Sequence, residues 1–135
     1  MKNSLRVRNA MCQAFLNDID SGTGPGKMRL YTSPQPATGG AAITSQILLG
    51  ECVFSDPSGA APVGGVATLS PVSNDVSADA SGVIAWCRIL DSDNNFVTDL
   101  TAGITGSGAE VTFNTNEALA GGIIQITSAT FTQPA

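Results

Sequence analysis

The side chains best equipped for chemistry in this chain are Cys12, Cys52 and Cys87, the acidic stretch Asp91-Ser92-Asp93-Asn94-Asn95, and the run Gly22-Thr23-Gly24-Pro25-Gly26-Lys27. Histidine is absent, which removes Ser-His-Asp and Cys-His nucleophile systems along with the commonest general base and metal ligand. A Ser-Lys pair would need Lys2 or Lys27, and both sit in exposed, flexible surroundings. Asp91 to Asn95 opens like a calcium loop, D-x-D-x-N. The sixth position, which needs Gly, is Phe96, and the twelfth, which needs Glu, is Ala102. A polar β-turn is the better reading. The Gly22–Lys27 run lacks phosphate-loop spacing, has Met28 where a hydroxyl belongs, and precedes a strand instead of following one. The carboxylates are scattered through turns, with no pair held at a fixed separation. Three widely spaced cysteines without a C-x-x-C pattern read as reduced, buried hydrophobes. No catalytic, cofactor-binding or metal-ligating residue is assigned, no cofactor is expected, and an enzyme is disfavoured.

The 135 residues suit one domain with one core, and 42% of them are apolar. Only 13% are charged, about half the usual ~25% of soluble domains. The surface is therefore small and neutral, which suits a protein that lies against neighbours. Residues 1–29 hold five of the six basic residues against Asp18 and Asp20, a net of +3, while residues 30–135 hold Arg88 against nine acids, a net of −8. An acidic body argues against nucleic-acid binding, whereas the basic end can steer onto an acidic protein partner. The first residues lack a continuous apolar stretch, so no signal peptide is read there. No run reaches the ~18–20 apolar residues of a membrane-spanning helix. The expectation is a soluble protein made in a cytoplasm, with no membrane partner.

Helical spacing occurs at 4–19, where Leu5, Cys12, Phe15 and Ile19, with Met11 and Leu16, recur at three-, four- and seven-residue intervals. Asn3 or Ser4 can cap its start and Ser21-Gly22 its end. After a flexible connection, strand patterns follow at 27–32, 47–54, 66–69, 83–91 (VIAWCRILD), 96–101, 110–113 and 123–131. Turn-forming segments separate them at intervals of roughly ten residues, which indicates an antiparallel sandwich or barrel. The division is thus 1–26, helix and connection, and 27–135, β-sandwich. Trp86, Phe113 and Phe131 read as core, and Phe96 as a cap at one end.

The stretches LRVRNAMCQAFL, MRLYTSPQPAT and AITSQILLGE carry a resemblance to a family of small tailed-bacteriophage virion proteins. Its motifs match at Leu5, Arg8, Asn9, Ala10, Met11 and Ala14, at Arg29, Leu30, Tyr31, Ser33, Pro34, Pro36 and Ala37, and at Ile47, Leu48 and Leu49. The later half, with Trp86-Cys87-Arg88 and the closing IIQITSATFTQPA, is similar in style. The resemblance implies a capsid decoration (cement) protein, a jelly-roll β-sandwich on the outside of an HK97-like shell. Its partners would be the major capsid protein and a second copy of itself, as a homodimer. On this reading the helix and the loop SPQPATGG form one attachment surface, with Arg6, Arg8, Arg29, Tyr31, Ser33, Pro34, Gln35, Pro36 and Ala37 as contact residues. Removal of residues 1–20 is expected to leave a folded domain. A tail or baseplate component shares these features, and a carbohydrate-binding sandwich is a further alternative.

Overall fold

Helix α1 (Leu5–Ile19) begins at Ser4, whose hydroxyl accepts a hydrogen bond from the Val7 N–H at 3.4 Å, as an N-cap does. Its apolar spacing places Cys12, Phe15, Leu16 and Ile19 on one buried stripe. In the computed structural model, which describes residues 1–70 and 73–135, that stripe packs on β structure. The strands are β1 (Lys27–Tyr31), β2 (Leu48–Val53), β3 (Val66–Thr68), β4 (Gly82–Val83), β5 (Trp86–Leu90), β6 (Phe96–Ile104), β7 (Val111–Phe113), β8 (Glu117–Ala118) and β9 (Ile126–Thr132). Seven form one sheet in the order β2-β1-β5-β6-β7-β9-β3, and β4 and β8 form a separate ribbon. The fold is mainly β with one N-terminal helix.

The sheet is mixed, because β6 and β7 run parallel. Parallel neighbours ordinarily need a crossover of a dozen or more residues. Here residues 105–110 suffice, since only Ala102, Gly103 and Ile104 pair with Val111, Thr112 and Phe113. Gly106 and Gly108 turn the chain back on itself at φ +89° and +86°. The apolar run 83–91 is likewise two strands. It leaves the ribbon at Val83 and enters the main sheet at Trp86, with the Ala85 N–H donating to the Tyr31 carbonyl at 3.0 Å.

The sheet curls far enough for both ends to reach one core. Gly50 on β2 lies against Ile124, just before β9, where an added Cβ would meet the Ile124 Cδ1 at 2.7 Å. Met28, Leu30, Leu49, Cys52, Cys87, Ile89, Leu100, Val111, Phe113 and Ala129 join the helical stripe in that core, and Phe15 stacks on Phe131 at 4.1 Å. Each fully buried Val, Leu, Ile, Phe or Met side chain among them contributes roughly 2 kcal/mol. The helix is also tied by polar contacts. Arg8 Nε donates to the Gln133 carbonyl at 2.7 Å, Asn9 Oδ1 accepts from the Gly65 N–H at 2.8 Å, and the Cys12 thiol donates to the Gly65 carbonyl. The expectation that residues 1–20 are dispensable for folding is therefore corrected, because they form one wall of the core.

The outer edge of β2 is blocked by the following chain. Asp75 Oδ2 accepts from the Glu51 N–H at 2.9 Å, and the Ser73 and Asp79 N–H groups donate to the Val53 and Leu49 carbonyls. Such cover keeps a strand edge from pairing with another chain.

Two glycines separate crowding from backbone strain. A Cβ on Gly26 would lie 2.8 Å from the Ile19 carbonyl oxygen and 2.9 Å from that of Leu90, so Gly26→Ala is expected to cost about 1–3 kcal/mol or more. Gly106 faces open space at φ +89°, and Gly106→Ala is expected to cost about 1 kcal/mol through its backbone alone. Urea unfolding of both variants checks the order.

Candidate contact site on the outer face of the sheet

Alternation along β1, β5 and β6 sends Met28, Leu30, Cys87, Ile89 and Leu100 to the core and their neighbours to the opposite face. On that outer face the register aligns Glu51, Arg29, Arg88 and Asp99 in one row across β2, β1, β5 and β6. Two like charges directly opposite each other are destabilising, and here each arginine turns to its own acid. Arg29 Nε donates to Glu51 at 2.8 Å, and Arg88 donates from Nε and Nη2 to the two Asp99 oxygens at 2.7 and 2.9 Å. The two pairs differ in burial. Arg29 and Glu51 are about one-third exposed (32% and 36%), whereas Arg88 and Asp99 are nearly enclosed, at 11% and 4%. The hydrogen bond and charge of Asp99 raise the Arg88 pKa further, against desolvation.

One step along the strands, Tyr31 stacks on Trp86 with ring centroids 4.7 Å apart. Trp86 is fully buried although it faces away from the core, and its indole N–H donates to the Thr32 carbonyl at 2.9 Å. The Arg88 guanidinium lies 5.4 Å from the ring centroids of both Trp86 and Phe96. This second apolar cluster is covered by residues 33–46, the loop of the β1–β2 hairpin. Its base is closed by the Thr32 N–H to the Ile47 carbonyl at 3.1 Å, and Gln46 Nε2 donates to the Pro34 carbonyl at 2.7 Å. The loop crosses β5 to reach β6, where the Gly40 N–H donates to Asp99 Oδ2 at 3.1 Å and Gly39 and Gly40 pack on Phe96. It is a strap, anchored at both ends and uncharged throughout.

The residues expected to form the contact surface have distinct places. Ser33, Pro34 and Ala37 are exposed on the strap, while Gln35 and Pro36 are half-buried in it. Tyr31 is buried beneath the strap, and Arg29 is engaged by Glu51 and by Asn94 Oδ1 at 3.1 Å. Arg8 is held by carbonyls of Gly64 and Gln133, and Arg6 stands exposed on α1. The helix packs into the core and the strap lies on the opposite face, so the structure separates the two halves of the expected surface. Sequence reasoning missed Gly40, Phe96, Arg88 and Asp99 as its framework. The available signal was Arg88 itself, since a lone arginine inside the apolar run VIAWCRILD demands an acid across the sheet.

Other chemistry-bearing groups are engaged locally. Asp91 accepts from the Asp93 and Asn95 N–H groups at 2.9 and 2.8 Å and from the Asn95 side chain at 2.8 Å, with Asn94 at φ +68°. The stretch is a polar turn. Burial pushes the Cys52 thiol up to about 11 and raises that of Cys87 further, which leaves both protonated and unreactive. Among the described residues, no group of three Cys, Asp or Glu side chains is placed to hold a metal ion, and no helix is long and apolar enough to cross a membrane. No protein-family model, no curated protein and no solved structure matches this chain.

Asp99→Ala strands the Arg88 guanidinium and is expected to cost about 3–5 kcal/mol. Glu51→Ala, at the more exposed pair, should cost less than ~1 kcal/mol. Urea unfolding measures both, and a red shift of Trp86 emission in Asp99→Ala would report lifting of the strap. For Asp91, the Asn95 side-chain hydrogen bond leads the causes that hold its carboxyl below the usual range, assisted by the two N–H donors and by Lys27 and opposed by desolvation. A lowered folded-state value gives stability that is present above the ordinary carboxylate range and is lost as pH falls through the lowered value. Asp91→Asn should accordingly flatten that part of the acid limb of stability, read by urea unfolding at successive pH values down to about pH 3.

Proposed function

We propose that this protein is a virion structural protein that binds the outside of an HK97-like phage capsid and cements neighbouring major capsid protein subunits. The observation that carries the reading is the strap. Residues 33–46 present Ser33, Pro34, Ala37, Ala42 and Ile43 to solvent with no charge among them, on a frame fixed by Gly40–Asp99 and Gln46–Pro34. A loop already ordered loses little entropy on docking, and an uncharged one has little to desolvate. The residues that look most chemical in the sequence hold turns or fill the core, which favours a contact role over turnover. Cement adds contact area across a seam, so parting two shell subunits must also break cement contacts. Many copies of modest affinity stabilise such a shell by mass action and multivalency.

This reading includes a sandwich of jelly-roll type, as the resemblance implies. The parallel β6–β7 pair departs from an all-antiparallel plan, and the proposed role requires only the curled sheet and its outer strap.

The test uses shells stripped of the protein, to which it is added back. Ala37→Glu and Ile43→Glu place charge on exposed strap positions without touching Gly40, Asp99 or Phe96. They should lower shell occupancy roughly tenfold and remove the rise in shell melting temperature, while circular dichroism and Trp86 emission stay unchanged. Full occupancy by the double variant rejects the strap as the attachment surface. Labelled protein found on tails in micrographs of whole particles would reject the capsid placement in favour of a tail or baseplate one.

A further inference from the structure

A group of strongly exposed apolar side chains lies away from the strap, at the end of the molecule that holds the β4–β8 ribbon. Residues 75–78 run beside 121–124. Asp75 and Ile124 exchange backbone hydrogen bonds at 3.1 and 2.8 Å, and the Ala78 and Gly121 N–H groups donate to the Gly122 and Ala78 carbonyls at 2.8 Å. This ladder and the ribbon bring Val76, Val83, Leu119 and Ile123 to one end, exposed by 74%, 52%, 72% and 70%. Glu117 stands between two clefts. One, of about 240 Å³, is lined by Ile84, Thr115, Ile123 and Ile124, and the other, of about 210 Å³, by Gly82, Val83, Ala118 and Leu119. Glu117 and Asp79 are exposed acids at this end. The basic residues lie elsewhere, at or just before the start of α1 or on β1 and β5. Apolar patches rimmed by polar groups mark interaction sites, and this one calls for apolar side chains accompanied by positive charge.

Such a segment exists in the chain itself. Met1 and Leu5 are exposed hydrophobics, and Lys2 and Arg6 are exposed bases beside them. Within one molecule this segment cannot reach the patch. Arg8 is bonded to the Gln133 carbonyl beyond the end of β9, while Ile124 precedes its start. At about 3.3 Å per residue these points are roughly 30 Å apart.

We infer that residues 1–6 of one copy dock on the β4–β8 end of the next. Met1 and Leu5 supply the apolar contacts beside Glu117, and Lys2 and Arg6 face Glu117 and Asp79. A contact between two different patches is heterologous, so it closes a ring or continues as a filament and does not form a two-fold pair. It stands apart from the shell-binding role, because it uses neither the strap nor its frame.

Sedimentation velocity of the full chain, from micromolar to millimolar concentration, tests it. The wild type should associate reversibly. Leu119→Ser with Ile123→Ser should abolish association. Lys2→Glu with Arg6→Glu, or Glu117→Lys with Asp79→Lys, should each weaken it roughly tenfold. Mixing the two charge-reversed proteins should restore association between them. All these positions are exposed, so circular dichroism should remain that of the wild type. A chain monomeric at every concentration, or an association indifferent to these changes, overturns the inference. A closed two-fold dimer that persists in the apolar double variant overturns it as well.

Discussion

Burial of β5 on both faces is the constraint from which most of the molecule follows. All five of its residues are buried, yet one of them is an arginine. Cys87 and Ile89 face the core, so their cover comes from α1 and the curled sheet. Trp86 and Arg88 face outward and need a second cover, which a single sheet does not provide. The strap supplies it. Its closure over Arg88 makes pairing with Asp99 obligatory, because an enclosed charge without a partner is far more costly than the pair is favourable. Asp99 in turn accepts the Gly40 N–H, so the acid that neutralises the strand also fastens its cover. Packing, electrostatics and loop conformation meet in that one carboxylate.

The same logic governs the ends of the chain. Helix α1 is short, and a helix of its length has little stability alone. It persists because its stripe completes the core and because Arg8, Asn9 and Cys12 engage residues 64–65 and 131–133. The first element is therefore held by the last strand and by the turn before β3. Contacts so distant in sequence couple the folding of both ends. The blocked edge of β2 and the helix beside β3 also leave the main sheet poorly suited to pair edge-to-edge, which directs any assembly to side-chain surfaces.

How much of this was legible in the sequence varied with the range of the interaction. Helix α1 was readable because its periodicity and its Ser4 cap are local signals. The turn Asp91–Asn95 was readable for the same reason, since short polar side chains bond their own backbone. The run 83–91 reads as one strand because β5 is buried on both faces, and double burial erases the alternation that would show the break at Ile84-Ala85. Strand β8 is two residues long and has no periodicity to read. The parallel β6–β7 pair depends on glycine φ values that composition does not display. The strap was recognised as stiff and uncharged. Its fold across β5 was hidden, because Gly40–Asp99 and Gly39–Phe96 are contacts between segments about sixty residues apart.

The uneven charge of the chain also changes meaning in three dimensions. Counted along the sequence, residues 1–29 look like a basic patch. In the fold, Arg8 donates to backbone carbonyls, Arg29 to Glu51 and Asn94, and Lys27 to Asn94 Oδ1 at 2.8 Å. Most of the positive charge thus serves internal bonds, leaving Lys2, just before α1, and Arg6, in its first turn, exposed. Long-range steering by this end is correspondingly weak and is screened within about 8 Å at physiological salt. Recognition must then rest on short-range complementarity. That requirement favours a preformed neutral strap on one face and an apolar end with a single acid between two clefts, over any diffuse electrostatic attraction.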